Sequence, residues 1–141
     1  MQFIIKFKPL FYLIQFTWGI IMNLIGLIVF LVLLPKQHFT FGNSIVTKVG
    51  KNWGGVSLGI FVLVGQDCVT HHLLCHESGH GIQNLFMGPI FIFLVGIPSS
   101  IRYWYFELKY YRKGKSPKNS YESIWFEGQA TKLGEKYYGN N

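Results

Sequence analysis

The chain has 141 residues and a net charge of +7; half of it is hydrophobic, 18% is aromatic and only 13% is charged. An average soluble domain carries about 25% charged residues, so this length and charge favour a single domain with a lipid-facing surface. Nucleic acid is not the expected partner, because the bases flank apolar stretches and there is no paired CxxC and no glycine-flanked aromatic strand. Attraction to acidic lipid headgroups is the simpler use of the charge.

Leu10–Leu34 contains no charged residue and is followed by Pro35. As helix it would extend about 37 Å, enough to cross a bilayer with some tilt. It is longer than a signal-peptide core and lacks a small-residue cleavage site, so a retained transmembrane helix is expected. Gln15 and Asn23 are polar groups within it, suited to facing another helix.

From His38 to Gln66 the chain turns β-rich. Ile45-Val46-Thr47 and Val56–Val64 flank the turn-like Lys51–Gly55, a pattern that suggests a small hairpin, with a short apolar helix over Val56–Val64 as the alternative. An exposed strand there would suit extended peptide, since peptides often bind by strand addition. Cys68 and Cys75 lie too far apart on one helix for a disulfide and read as free thiols.

Asp67 is the expected N-cap of the next helix, which carries His76-Glu77-Ser78-Gly79-His80. Residues four apart share a helix face, so both imidazoles can bind one tetrahedral Zn²⁺. Glu77 points roughly 100° away around the axis, within reach of a water on the metal without being a ligand. Zinc lowers that water's pKa and Glu77 accepts its proton, which makes Glu77 the candidate catalytic residue. His72 continues the stripe, but a third ligand from one straight helix is strained, so a supporting or surface role is expected. Gly79 and Gly81 weaken the helix and suit close approach by another element.

Gly88-Pro89 should end or kink this helix. The apolar segment that follows, 89–106, is broken again at Pro98 and is long enough for a short or re-entrant span. Basic residues crowd between Arg102 and Lys118, and Lys6 and Lys8 precede the first apolar run. Positive residues near spans favour the cytoplasmic side, so both termini are expected there.

A catalytic zinc needs a third ligand and an open position. The helical-looking segment 121–131 offers Glu122 and Glu127. Glu127 is favoured, because a carboxylate among aromatic and small residues is costly without a compensating cation.

The order His76-Glu77-x-x-His80 followed by Glu127-x-x-Ala130 resembles the Glu-zincin metallopeptidases. Together with Gly88-Pro89, Gly96-Ile97-Pro98-Ser99 and Trp125-Phe126-Glu127, it also resembles small uncharacterised bacterial integral membrane proteins with an HExxH helix. The likeness covers roughly residues 53–135. It implies metal ligands His76, His80 and Glu127, a Zn²⁺ cofactor, and location in a bacterial inner membrane. Thr131 stands where such enzymes often place an aspartate that supports a ligand histidine.

The expected fold is thus mainly α and integral to the membrane: an N-terminal transmembrane helix (1–36), a β-rich or interfacial segment (37–66), a metal-site region (67–135) and a tail (136–141). The expected function is a membrane-associated zinc metallopeptidase, with a non-catalytic metal-binding membrane protein as the alternative. A tyrosine, Tyr121, is a candidate to steady the oxyanion. The expected partners are the lipid bilayer, a protein or peptide substrate and, given thin cleft walls, a second copy of the chain.

Overall fold

The computed structural model describes residues 1–51, 53–111 and 125–140. Two short helices open the chain, α1 (Gln2–Lys6) and α2 (Lys8–Thr17), with Pro9 in the first turn of α2, where its missing N–H costs nothing. Helix α3 (Ile20–Val32) follows at 98° to α2.

The long apolar run is therefore not one transmembrane helix, which corrects the first expectation. Among the described residues no single helix is long and apolar enough to cross a membrane, although two bent helix pairs pass by length and composition. The physical reason for the bend lies in the run's polar residues. Gln15 and Asn23 are completely buried. The Asn23 amide donates to the Gln15 side chain at 2.8 Å and to the Gly19 carbonyl at 2.8 Å. The Gln15 amide donates to the Gly81 carbonyl at 2.7 Å, and the Ile60 N–H donates to Asn23 Oδ1 at 2.8 Å. Breaking the helix at Trp18-Gly19 lets both side chains reach one protein-lined point, which satisfies groups that would be costly to bury alone. A Cβ at Gly19 would lie 2.6 Å from Asn84 Nδ2, so the bend packs directly on the motif helix.

The fold is mixed α/β, not mainly α. Strands β1 (His38–Phe41), β2 (Ser44–Lys48), β3 (Gly55–Leu58) and β4 (Phe61–Val64) form one sheet in the order β1-β2-β4-β3. The expected hairpin between the two β-rich runs is replaced by two hairpins, β1–β2 and β3–β4, joined by parallel pairing of β2 with β4. The run Val56–Val64 is apolar except for Ser57 but turns at Gly59, whose φ of 73° favours glycine. Near-continuous hydrophobicity marked burial and concealed that turn.

The motif helix α4 (His71–Met87) is capped by Thr70, not Asp67: the Leu73 N–H donates to Thr70 Oγ1 at 3.1 Å. It stops at Gly88, as the Gly-Pro pair requires. A 3₁₀ turn (Gly88–Ile90) and a π turn (Ile92–Gly96) lead into α5 (Ile97–Tyr111), and the chain bends by 117° overall. Helix α6 (Trp125–Tyr138) completes the described structure.

Helix α4 is the centre of the molecule and is buried from Leu74 to Leu85. Cys75, Ile82 and Leu85 pack with Phe11, Ile60, Phe61 and Tyr138, while Leu74 joins Val46, Val62 and Val64 of the sheet. Both cysteines are free, and Cys75 belongs to this core. Helix α6 lies against α4 almost backbone to backbone. A Cβ at Gly79 would overlap the Ala130 carbonyl, and one at Gly134 would overlap the Cys75 carbonyl. The close approach expected at Gly79 is thus made by α6, and it brings Glu127 to the histidines.

Candidate metal centre

His76 and His80 project from successive turns of α4, with ring centroids 4.9 Å apart and planes nearly perpendicular. Glu127, in the first turn of α6 and fully buried, reaches between them. Its Oε2 is 3.2 Å from His76 Nε2 and 3.1 Å from His80 Nε2. Ligand atoms of the three residues lie within 4.8 Å of one another, so this buried group could hold a metal ion. Glu122 and Tyr121 lie outside the described residues. His72 points elsewhere, pairing at 3.4 Å with Glu135 in an exposed position.

The far sides of both rings decide what the near sides can do. The Gln83 amide nitrogen donates to the Phe126 carbonyl at 2.7 Å and to Gln129 Oε1 at 3.0 Å, which orients its oxygen toward His80. Gln83 Oε1 lies 2.8 Å from His80 Nδ1, so Nδ1 carries the proton. The Thr131 hydroxyl donates to the Glu127 carbonyl at 3.3 Å, as a helix residue can to the preceding turn, and accepts from His76 Nδ1 at 2.8 Å. Each neutral ring therefore turns an Nε2 lone pair toward Glu127 Oε2. Three lone-pair atoms converge, and only a proton or a cation between them relieves the repulsion. Two imidazoles and one carboxylate are a donor set that suits a divalent metal ion.

Glu127 is steadied from its other oxygen: the Ser99 hydroxyl, on α5, donates to Oε1 at 2.5 Å. Burial alone would raise the Glu127 carboxyl. Hydrogen bonds from His76 and His80, then the charge on His80 and the Ser99 hydroxyl, hold it well below the usual carboxylate range. Such a hydrogen bond needs a proton on Nε2, the other way to relieve the same crowding.

Glu77 shows the opposite behaviour. Burial pushes its carboxyl up to about 7; the neighbouring His76 opposes this and the Glu127 charge adds to it. It packs against β3, where a Cβ on Gly55 would come within 2.8 Å of Oε1. Glu77, His76 and His80 all line a cleft of about 630 Å³, walled by β3, α3 and α5.

Sequence reasoning missed three supporting residues. Gln83 lies one turn beyond His80 on the same helix and was recoverable from spacing. Thr131 read as a departure from an expected aspartate, yet its hydroxyl contacts His76. Ser99 gave no signal, because only the bend after α4 carries it to Glu127. The chain matches no family model, no curated protein and no solved structure.

Proposed function

We propose that this protein is a membrane-associated zinc metallopeptidase. The observation that carries the reading is the convergence of His76 Nε2, His80 Nε2 and Glu127 Oε2 beside a buried carboxylic acid in an open cleft. Zinc held there would supply Lewis acidity toward a peptide carbonyl and lower the pKa of a coordinated water.

The chain's own groups supply the rest. Thr131 and Gln83 keep protons on both Nδ1 atoms, so both Nε2 atoms stay free to ligate. Ser99 occupies Glu127 Oε1 and leaves Oε2 for the metal. Glu77 accepts a proton from the attacking water at its carboxylate and returns it to the departing amine, a task that favours a pKa near the working pH. Strand β3 is an edge of the sheet, and Gly55–Leu58 line the cleft. A peptide laid along that edge extends the sheet and brings a carbonyl toward the histidines.

The test compares zinc-loaded, chelator-stripped and Glu77→Gln protein on a mixed peptide library, with cleavage read by mass spectrometry. Cleavage by the first alone supports the reading. Equal cleavage by all three, or none by zinc-loaded protein, overturns it.

A further inference from the structure

Some of the residues that wall the metal cleft are also surface residues. Ile25 of α3 and Ile97, Ile101 and Trp104 of α5 all line it and are all exposed. Each belongs to a longer apolar stripe. On α3, Ile21, Ile25, Ile28 and Val32 recur at helical spacing and are exposed. Across the cleft, Phe93, Ile97, Ile101 and Trp104 do the same through the π turn and α5. Two apolar banks thus run outward from the mouth of a site whose floor is polar.

We propose that the cleft opens onto the hydrocarbon edge of an anionic bilayer and takes its substrate from there, as an apolar peptide segment held in the membrane interface. The substrate class rests on the peptidase reading above; the bilayer contact does not. Three observations favour lipid as the occupant. Exposed apolar side chains run along α3, join Leu13 and Phe16 of α2 and continue to the mouth, far more than scattered surface hydrophobics. The net charge of +7, with exposed Lys6 and Lys8 at the α1–α2 junction and exposed Lys36 beyond α3, complements acidic headgroups. Exposed Trp18, Trp104 and Trp125 suit the headgroup boundary, where an amphipathic ring is half wet.

Geometry gives the mouth a consequence for chemistry. A segment entering between α3 and α5 comes into a cleft lined by both β3 and Glu77. Its unpaired backbone groups, costly in lipid, find the strand edge there. An apolar segment loses little on leaving the bilayer for banks of isoleucine, phenylalanine and tryptophan, whereas a charged one would have to leave water for them.

The test uses the full chain and vesicles of phosphatidylcholine mixed with phosphatidylglycerol. Zinc-loaded and chelator-stripped protein should both float with these vesicles. Phe93→Glu/Ile101→Glu, at positions 68% and 64% exposed, should lower partitioning by roughly tenfold or more while leaving circular dichroism and zinc content unchanged. Zinc-loaded protein should cleave an apolar peptide anchored in the vesicle faster than a lysine-flanked, water-soluble version, and the double variant should lose that preference. Failure of the wild type to float, equal flotation of the double variant, or a lipid-free dimer that hides Phe93 and Ile101 from labelling would overturn the proposal. Equal cleavage of the two peptides would overturn its substrate class. Flotation without cleavage of either peptide would refute the peptidase chemistry and support the bilayer contact.

Discussion

His80 Nε2 stands 3.1 Å from Glu127 Oε2, and while the imidazole is neutral neither atom can donate to the other. The proton is held on the opposite nitrogen by Gln83, which is itself oriented by the Phe126 carbonyl. Helix α6 thus supplies the carboxylate and also fixes the tautomer of the histidine that faces it.

Removing those orienting groups should weaken the metal site without touching a ligand. Thr131→Val and Gln83→Leu are each expected to reduce zinc affinity about 10–100-fold, the usual cost of losing an outer partner of a ligand histidine. Competition titration with a chromophoric chelator checks this; unchanged affinity in both variants would show that the rings need no such support.

Glu77→Gln separates metal binding from catalysis. Zinc content should be retained, because Glu77 is not among the converging atoms, while peptide hydrolysis should fall roughly 10²–10⁴-fold with loss of the general base. Zinc analysis and steady-state rates on one preparation decide it; parallel loss of both would make Glu77 part of the metal site.

In the metal-free protein Glu77 should also impose a pH slope on stability. Its folded pKa, about 7, lies above the ordinary value near 4.3, so between those pH values the folded state binds more protons than the unfolded. Stability from this group is present in acid and is lost as pH rises toward 7. Glu127 has the opposite sign: its depressed pKa contributes stability above the ordinary carboxylate range, lost as the solution is acidified further. The difference in unfolding free energy between metal-free wild type and Glu77→Gln should therefore change by a few kcal/mol between about pH 4 and pH 8, with the variant relatively more stable at the higher pH. Urea titrations at both ends measure it; a pH-independent difference would remove the proposed burial effect.

Gly79→Ala should act at the α4–α6 contact. A methyl group there overlaps the Ala130 backbone, which cannot rotate away as a side chain could. Overpacking of this kind costs about 1–3 kcal/mol. As α6 is pushed out, Glu127 moves with it, so zinc affinity should fall together with the denaturation midpoint. Loss of stability with unaltered affinity would uncouple the helix contact from the site.

The HExxH spacing and the cost of burying Glu127 were legible because each rests on local geometry or on one residue's chemistry. The path of the apolar run was not. Hydropathy registers Gln15 and Asn23 as two blemishes in a span, but their partners, Gly81, Asn84 and Ile60, lie far along the chain. A tertiary polar network overrode the length of the run. The sheet was half legible for a related reason: β propensity marked its strands, whereas the parallel pairing of Val46 with Val62 depends on a glycine turn inside a mostly apolar stretch. Ser99 was invisible because only the 117° bend after α4 aims it at Glu127.

The most direct measurement is metal stoichiometry by inductively coupled plasma mass spectrometry. It would compare full-length wild type, His76→Ala, His80→Ala and Glu127→Gln, each reconstituted with zinc and freed of excess. One zinc per folded wild-type chain, and substantially less in each variant, is the expected result. A folded wild type that retains no zinc, or variants that retain as much as the wild type, would contradict a His76–His80–Glu127 metal centre.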